Sequence, residues 1–342
     1  MNGTRIWMFV VILAAALSSE RVGTQQTGGA VQSGAATPNS AIEILHVRGN
    51  VYMMVGAGGN TTIQVGPQGV LVVDTMTEAM ADQLVAAIER FAPGKPIRYV
   101  LNTHAHPDHT GGNSKVAEAG SQLVGGNFLA QLGQQGAQSA FIFAHENVLM
   151  ALNTPSKGRP PVPFGALPTD TFFQDRKDLY FNGEAVQMLH IPSAHTDGDS
   201  MVFFRSSDVI STGDLFVTTS YPLIDLDRGG TVNGLIEALN TLIDLVVSEQ
   251  YTEGGTRVVP GHGRLADEMD VVEFRDMVTI VRDRVQDAIK RGQTLNQIKA
   301  AQLTLDFDTR YGSTSGSWTT SMFLDAVYRT LSPPGTGKKP AR

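Results

Sequence analysis

The stretch that decides how this chain folds is Ile97-Arg98-Tyr99-Val100-Leu101-Asn102-Thr103-His104-Ala105-His106-Pro107-Asp108-His109. Its first five residues predict an apolar strand. Four side chains that can bind a metal ion fall within the last six residues. Residues two apart on an extended segment project to the same side, so His104 and His106 can bind one ion. The turn that the proline introduces lets Asp108 and His109 point toward a second ion. The stretch therefore predicts a metal centre at the end of a strand.

The composition limits which metal sites and partners are possible. The 342 residues include no cysteine, so disulfides and thiolate metal sites are excluded and any transition metal must be held by imidazole and carboxylate groups. With 42% apolar residues, the chain can form a sizeable core. The formal net charge of −7 argues against a nucleic-acid partner, because such a partner requires a basic surface. We expect a small-molecule substrate, and the composition indicates no particular oligomeric state.

The N-terminus has the features of a secretory signal. Arg5 precedes an apolar run at residues 6–17, and the small residues Ser18 and Ser19 follow it. We therefore predict a signal peptide at residues 1–20 and a secreted or periplasmic protein, with an uncleaved anchor as the alternative. The run is too short for a comfortable membrane span, so no stable membrane partner is expected. Residues 21–40 are predicted to form a flexible linker and 332–342 a disordered tail, which leaves 41–331 as the folded domain.

Strands and helices alternate within this predicted domain. Apolar and β-branched runs predict strands at residues 51–55, 62–65, 69–74, 97–101, 185–191, 201–204, 209–211 and 257–259. Amphipathic helices are predicted at residues 78–91 and 268–291, because each has one apolar stripe at helical spacing. Gly292 follows the second helix as a natural terminator.

One pattern recurs in both halves of the domain. In the first half a strand ends in Asp74, a helical region follows, and a second strand leads to His104. In the second half a strand leads to Asp214, and a later strand leads to His262. Two similar halves would bring both sets of strand ends to one edge of the molecule.

The order of these motifs resembles that of the metallo-β-lactamase superfamily. The loop from residue 104 to 109 is similar to the H-x-H-x-D-H motif of that family, and Ala194-His195-Thr196-Asp197-Gly198-Asp199 is similar to its third motif. Val72-Val73-Asp74 is similar to the first motif of the family. Thr212-Gly213-Asp214-Leu215-Phe216 is similar to its G-D motif, and Pro260-Gly261-His262-Gly263 is similar to its last histidine motif. The resemblance implies an α/β fold, the four-layer αββα sandwich, with the metals at one edge of its two sheets.

The resemblance also implies a centre with two zinc ions and seven ligands. One ion would be held by His104, His106 and His195, the other by Asp108, His109 and His262, and Asp214 would bridge the two. A hydroxide that bridges two such ions is a nucleophile at neutral pH, because the metals lower the pKa of bound water. Asp108 would lie beside this water and act as the catalytic group that orients it and passes a proton to the leaving group.

Other polar residues near the motifs have less specific roles. Asp74, at a strand end, is expected to accept an imidazole N–H and fix the tautomer of a metal ligand. His190 lies close to the third motif, but it ends a strand, so we expect a structural role. His145 is placed on a predicted helix, without a ligand partner at the right spacing. The segment 221–225 is expected to form part of a substrate-facing loop.

Three classes of function remain open at this point. The first is hydrolysis of an ester, lactone or amide carbonyl, with a periplasmic β-lactamase as an alternative within the class. Asp214 argues against efficient β-lactamase activity, because β-lactamases of this superfamily carry Cys or Ser at that position. The second class is a thiol- or sulfur-oxidising iron enzyme on the same fold. The third, a fold kept without catalysis, is disfavoured because every ligand position is filled, and we favour the exported carbonyl hydrolase.

Overall fold

The computed structural model describes residues 42–122, 139–154 and 162–332. All of them belong to one unit that begins at Pro38. The predicted signal peptide (1–20) and linker (21–40), and the predicted tail after Ser332, lie outside the described residues, so these three predictions stay predictions.

Two sheets form the centre of the fold. The first has seven strands in the order of the sequence; β1 to β4 are antiparallel to one another and β4 to β7 are parallel. Its strands are β1 (Glu43–Arg48), β2 (Val51–Gly56), β3 (Gly59–Gly66), β4 (Gly69–Val73), β5 (Ile97–Leu101), β6 (Phe141–His145) and β7 (Asp170–Phe172).

The second sheet has five strands in the order β12-β11-β10-β9-β8. Strands β11 and β12 are parallel and the other neighbours are antiparallel. Its strands are β8 (Arg176–Phe181), β9 (Glu184–His190), β10 (Ser200–Phe204), β11 (Val209–Ser211) and β12 (Arg257–Val259).

Helices cover the outer faces of both sheets. Several begin at side-chain caps that satisfy free backbone N–H groups; for example, Asp267 accepts from the backbone N–H of Asp270. The helices are α1 (Ala81–Phe91), α2 (Pro107–Thr110), α3 (Asn113–Glu118), α4 (Glu146–Asn153), α5 (Val232–Leu245), α6 (Glu268–Lys290), α7 (Leu295–Ala300), α8 (Leu305–Tyr311) and α9 (Thr320–Leu331). Within the described ranges, no helix combines the length and the apolar character that crossing a bilayer requires.

Three apolar clusters hold these layers together. The central cluster lies between the sheets and joins residues such as Leu71 and Phe204. A second cluster packs the seven-stranded sheet against α1, where Leu84 and Ile88 are buried. The third and largest packs the five-stranded sheet against α5 and α6 and also includes residues of α7 and α9, such as Ile298 and Phe323. The predicted four-layer αββα sandwich is therefore confirmed.

The predicted elements match the structure where the apolar pattern is strong. The strands at 97–101, 209–211 and 257–259 have the predicted bounds, and the helix at 268–291 ends at Lys290, just before Gly292 with a φ of 76°. Strands β1, β6, β7 and β8 were not predicted. Strands β1 and β8 carry several charged or exposed residues, β7 has only three residues, and the apolar run of β6 lies next to the segment that was predicted as a helix. The prediction for His145 is wrong, since this residue ends β6 and serves as the N-cap of α4 instead of lying within a helix.

Candidate metal centre

Two pairs of parallel strands bring the motif residues to one edge of the sandwich. Strands β4 and β5 run side by side and end next to Asp74 and His104, while β11 and β12 run side by side and lead to Asp214 and His262. Parallel neighbours end at the same edge of a sheet, so the pattern that recurs in both halves of the sequence places all four residues together. Asp74 adopts a φ of 62°, a left-handed conformation that Asp tolerates better than most residues.

All seven predicted ligands meet at this edge in two groups. Within each group the candidate ligand atoms lie within 4.8 Å of one another. The first group is His104, His106, His195 and Asp214, and the second is Asp108, His109, Asp214 and His262. Asp214 belongs to both groups, as expected for a bridging carboxylate.

The distances between these side chains are those of ligands around an ion. His106 Nδ1 and His195 Nε2 lie 2.9 Å apart, and His262 Nε2 lies 3.3 Å from Asp108 Oδ2. Ligands at about 2.0–2.1 Å from a tetrahedral zinc ion are separated from one another by roughly 3.3 Å. The spacing therefore leaves room for a small cation within each group.

Hydrogen bonds orient four of the histidines so that one nitrogen of each faces the centre. The outward nitrogens of these rings bond to the Thr103 hydroxyl, the Asp225 carboxylate, the Asp74 carboxylate and the Leu223 carbonyl. The pairs are His104 Nδ1 with Thr103 Oγ1 at 3.0 Å, His106 Nε2 with Asp225 Oδ2 at 2.8 Å, His109 Nδ1 with Asp74 Oδ2 at 2.8 Å, and His195 Nδ1 with Leu223 O at 2.7 Å. With the outward nitrogen protonated, the inward nitrogen of each ring keeps its lone pair for a metal.

The predicted role of Asp74 is confirmed by these contacts. Its Oδ2 accepts from both His109 Nδ1 and the Thr103 hydroxyl, and the same hydroxyl faces His104 Nδ1. One carboxylate therefore positions a ligand of each group.

The inward-facing atoms fit a bound cation. Among the described side chains, His104 Nε2, His109 Nε2 and Asp214 Oδ1 are buried and make no hydrogen bond of normal geometry, although His109 Nε2 and Asp214 Oδ1 lie 3.3 Å apart. Buried polar atoms without a partner are rare because they lose their hydration without compensation. The lone pairs of His106 and His195 also face each other at 2.9 Å, an arrangement that a cation between them would stabilise.

The protonation states of the first ligand group suit metal binding, and those of the second group differ. Burial lowers the pKa of His195 to about 4 and, together with the neighbouring His109, holds the pKa of His104 well below its ordinary value. Burial raises the pKa of Asp214, but His109 and His262 outweigh it and hold this pKa well below the ordinary value. At neutral pH, His104 and His195 are neutral and Asp214 is ionised, which are the forms that bind metals. In the second group, burial lowers the pKa of His109 and of His262, but the neighbouring carboxylates outweigh burial. They raise the pKa of His109 well above its ordinary value and that of His262 to about 9, so metal binding in this group releases protons.

His190 and His145 lie outside both ligand groups. Their rings stack on each other, with centroids 3.5 Å apart and planes 2° from parallel. His190 Nδ1 also bonds to the Asp199 carbonyl, and His145 Nδ1 accepts from the backbone N–H of Asn147. The structural role predicted for His190 agrees with these contacts.

The segment 221–225 bonds to two candidate ligands on the side of each ring that faces away from the centre. Tyr221 is buried, and its hydroxyl donates to the Asp308 carboxylate and the Thr304 carbonyl, so this residue does not face a substrate as predicted. Leu223 and Asp225 instead hold His195 and His106.

The roles of Asp225, Arg228 and Gly261 at the site were not predicted, although Asp225 belongs to the segment 221–225 and Gly261 to the last histidine motif. Arg228 donates to the Asp225 carboxylate at 2.8 Å, so the carboxylate that bonds to His106 is also bonded to a guanidinium group. A Cβ on Gly261 would collide with Asp214 Oδ1, which explains why glycine precedes His262. Only the glycine carried a signal in the sequence, since the contact between His106 and Asp225 spans more than 100 residues.

Comparison with known families gives one match over most of this domain. The model of the Metallo-beta-lactamase superfamily matches residues 55–262, a range that contains all seven candidate ligands.

Comparison with curated proteins finds distant relatives. A linear primary-alkylsulfatase of Pseudomonas sp. is 24% identical over 263 residues, which cover 68% of this chain and 47% of the relative. The alpha subunit of a 2,4-dinitroanisole O-demethylase of Nocardioides sp. is 25% identical over 180 residues, which cover 52% of this chain and 48% of the relative. The chain thus spans about half the length of these curated relatives.

Among solved structures, a stereoselective inverting sec-alkylsulfatase from Pseudomonas sp. superimposes with a TM-score of 0.62 at 17% identity. The match covers 84% of this chain and 50% of the other. At this level of identity the similarity concerns the fold alone.

Proposed function

Since the chain belongs to the metallo-beta-lactamase superfamily, we propose that it is an exported two-zinc hydrolase that cleaves an ester, lactone or amide carbonyl. The observation that supports this proposal is the pair of ligand groups that share Asp214. Its Oδ1 lies 3.3 Å from His109 Nε2, and its Oδ2 lies 3.9 Å from His195 Nε2, so one carboxylate reaches both groups. Imidazole and carboxylate ligands without a thiolate suit zinc.

The metals and the protein have separate tasks in this proposal. When bound, two zinc ions polarise a substrate oxygen and lower the pKa of water to about 7, which provides a nucleophile at neutral pH. The side chains of Thr103, Asp74 and Asp225 and the carbonyl of Leu223 keep the histidine rings in the orientation described above.

Asp108 is the proposed proton carrier. Its side chain is 34% exposed and its Oδ2 lies 3.3 Å from His262 Nε2, so it lies where the centre meets solvent. Burial raises its pKa, but the hydrogen bond from His262 outweighs this effect and lowers the pKa below the ordinary value. The ionised carboxylate can accept the proton that the attacking water releases and pass it to the oxygen or nitrogen of the leaving group.

Metal analysis of the natively purified protein tests the two-zinc proposal. We expect two zinc ions per chain. One metal per chain, or mainly iron, would contradict the proposal, and mainly iron would favour the thiol- or sulfur-oxidising class.

A sulfate ester is a second candidate substrate. The observation that favours it is the alignment of 68% of the chain with a relative named a linear primary-alkylsulfatase. An alkyl/aryl-sulfatase of Saccharomyces cerevisiae is also 34% identical over a shorter segment of 76 residues.

A substrate panel separates the candidates. The zinc-loaded protein is assayed with p-nitrophenyl octanoate, an aliphatic lactone, a chromogenic cephalosporin and octyl sulfate. Hydrolysis of the ester or lactone well above the others would support a carbonyl hydrolase. If octyl sulfate is the only compound hydrolysed, with release of inorganic sulfate, the sulfate ester replaces the carbonyl compound as the proposed substrate. If the cephalosporin is hydrolysed fastest, the β-lactamase alternative is restored.

A further inference from the structure

His262 differs from the other four candidate histidine ligands in how its ring is held. Each of those four rings bonds to the protein through its outward nitrogen. The Nε2 atom of His262 lies 3.3 Å from Asp108 Oδ2 and 3.5 Å from Asp214 Oδ1, so its Nδ1 atom is the outward one. No residue in the described part of the chain hydrogen-bonds to this Nδ1 atom, and the ring is 31% exposed. Something else must therefore orient this ligand.

The hairpin formed by β2 and β3 bonds to the segment that carries His262. The backbone N–H of Asn60 donates to the Gly261 carbonyl at 2.8 Å. The side-chain Nδ2 of Asn60 donates to the carbonyls of Pro260 at 2.9 Å and Gly263 at 3.0 Å. One residue of β3 thus fixes carbonyl groups both before and after His262 in the chain.

The side chain of Asn60 is suited to this task because it is an amide with two N–H donors. Both of its partners are carbonyl oxygens, which only a donor can satisfy, so a carboxylate in the same place would repel both of them. Asn60 is 6% exposed, and loss of a buried hydrogen bond leaves its partner without compensation for lost hydration. The amide therefore constrains the segment more strongly than an exposed contact would.

Gly59 brings the same hairpin close to the ring itself. Its φ is 111°, a conformation that glycine adopts readily and other residues rarely do. A Cβ at this position would lie 3.3 Å from His262 Cε1 and 3.2 Å from the Gly261 carbonyl oxygen, closer than ordinary van der Waals contact. The hairpin can approach the ring only because this residue has no side chain.

We propose that Asn60 and Gly59 position His262 and thereby set the metal affinity of the second ligand group. Both act through His262, so they are positioning residues and not catalytic ones. The inference rests on the proposed function, because it assumes that the second group holds an ion. The first group shares only Asp214 with the second, so its affinity should depend much less on the hairpin.

Asn60→Ala tests the amide, and Asn182→Ala is its matched control. The Nδ2 of Asn182 also donates to a carbonyl, that of Gly69 at 3.1 Å, and its Oδ1 accepts from the backbone N–H of Gln68 at 2.9 Å. These partners lie in the turn between β3 and β4, whereas Asn60 lies near the other end of β3. The two variants therefore remove similar hydrogen bonds, but only one removes them from the segment of His262.

Competition with a chromogenic zinc chelator measures the two zinc affinities of each full-length protein. The binding constant that His262→Ala abolishes belongs to the second group. We expect Asn60→Ala to weaken this constant about 10- to 100-fold and to change the other by no more than about threefold, since residues that orient a metal ligand have effects of this size. Asn182→Ala should change neither. Two unchanged constants in Asn60→Ala, or equal losses in both variants, would overturn the inference.

Gly59→Ala and Gly183→Ala form a second matched pair. Gly183 lies in the turn between β8 and β9 with a φ of 89°, and a Cβ there would meet nothing within 4 Å. Both variants impose the same kind of backbone strain, but only Gly59→Ala adds a contact with His262. We expect Gly59→Ala alone to weaken zinc binding in the second group, and equal affinities in the two variants would contradict the role of Gly59. If Asn60→Ala does not fold, Asn60→Ser keeps one donor and should weaken the same constant by a smaller factor.

An NMR measurement without zinc separates failure of the inference from failure of the proposed function. The metal-free full chain is labelled with ¹³C at histidine Cε1, and variants that lack His262 or His104 assign those two signals. At one fixed pH, Asn60→Ala and Gly59→Ala should shift or broaden the His262 signal and leave the His104 signal in place. If this result accompanies a wild type that binds fewer than two ions, only the two-zinc proposal fails. An unchanged His262 signal in both variants would overturn the inference whatever the zinc content.

Discussion

At the residue scale, the candidate metal centre depends on histidine side chains whose orientation is fixed by hydrogen bonds to neighbouring residues. Each of four histidines uses one nitrogen to bond to the protein and directs the other toward the centre. Such contacts keep the rings in place before a metal arrives, so less ordering is required on binding. Two substitutions at this scale distinguish metal ligands from nearby polar residues.

Asp214→Ser and Asp214→Asn test the bridging carboxylate. Neither side chain can supply two charged oxygens, so the second group, Asp108, His109 and His262, should lose its zinc first. The three histidines of the first group can still hold an ion. We expect zinc content to fall toward one per chain and turnover to fall by about a hundredfold or more, because nucleophile and electrophile are both disturbed. Zinc stoichiometry and turnover on the best panel substrate are the measurements, and full zinc content with near-normal turnover in both variants would show that there is no bridge.

His195→Ala and His190→Ala form a matched pair five residues apart. His195 belongs to the first ligand group and is fully buried, whereas His190 stacks on His145. We expect His195→Ala to lose zinc from the first group and His190→Ala to keep both ions. Elemental analysis of the two purified variants decides the matter, and the reverse pattern would show that the ligand had been wrongly identified.

At the scale of elements, the candidate ligands lie at or just after the ends of strands, and helices pack against the sheets that these strands form. The pairs β4–β5 and β11–β12 each bring a carboxylate and a histidine to the same edge. A further link joins β6 of the first sheet to β9 of the second, through the stacked rings of His145 and His190 at the ends of these strands.

This stacked pair should make stability depend on pH. Burial and the neighbouring His190 lower the pKa of His145 to about 4, and burial also lowers the pKa of His190. Since the folded pKa values lie below those of the unfolded chain, the stabilisation is complete above the unfolded pKa of about 6.5. It is lost as the pH falls from there toward the folded pKa, because the unfolded chain then takes up protons more readily.

His145→Asn removes one partner but keeps a side chain that can cap α4. Between about pH 7 and about pH 5, the free energy of unfolding of wild type should fall by roughly 1 kcal/mol more than that of the variant. Urea unfolding of the metal-free proteins at both pH values measures this difference. The ligand histidines contribute equally to both proteins, so parallel pH dependences would contradict the role assigned to the pair.

At the scale of the whole molecule, all seven candidate ligands lie in one described unit, although the chain spans about half the length of its curated relatives. The C-terminal helices contribute to the same unit, because Tyr221 bonds to Asp308 of α8 and stacks on Phe323 of α9. The seven candidate ligands and the segment 221–225 that bonds to two of them all lie after residue 42.

Deletion of residues 1–40 should therefore leave zinc content and turnover within about twofold of the full-length values. A protein that begins near Ile42 and is produced in the cytoplasm needs no disulfides to fold, since the chain has no cysteine. Fractionation of cells that express the full-length chain tests the proposed export in parallel. Full-length protein that is active while the shortened protein is inactive would show that the N-terminal segment contributes to the site.

The sequence predicted the ligand types of the H-x-H-x-D-H loop and the strands that lead to the motifs, whereas the division of the seven ligands into two groups came from the resemblance to a family. These features are local: a strand forms where apolar β-branched residues run together, and two histidines on an extended segment share a side. The same reasoning predicted the roles of Asp74 and His190, because each lies at the end of a predicted strand. It misplaced His145, where a strand ends and a helix begins at a single residue and the local pattern does not distinguish the two.

Only the tertiary structure decided which distant residues support the ligands and what lies beside them. Asp225 reaches His106 across 119 residues, and Tyr221 turns into the core to meet a helix more than 80 residues further on. A cavity of about 500 Å³ likewise forms between residues of the H-x-H-x-D-H loop, α4 and the segment before β7. Such contacts depend on how complete layers pack against one another, and no periodicity along the chain encodes which side chains will face each other once the layers have formed.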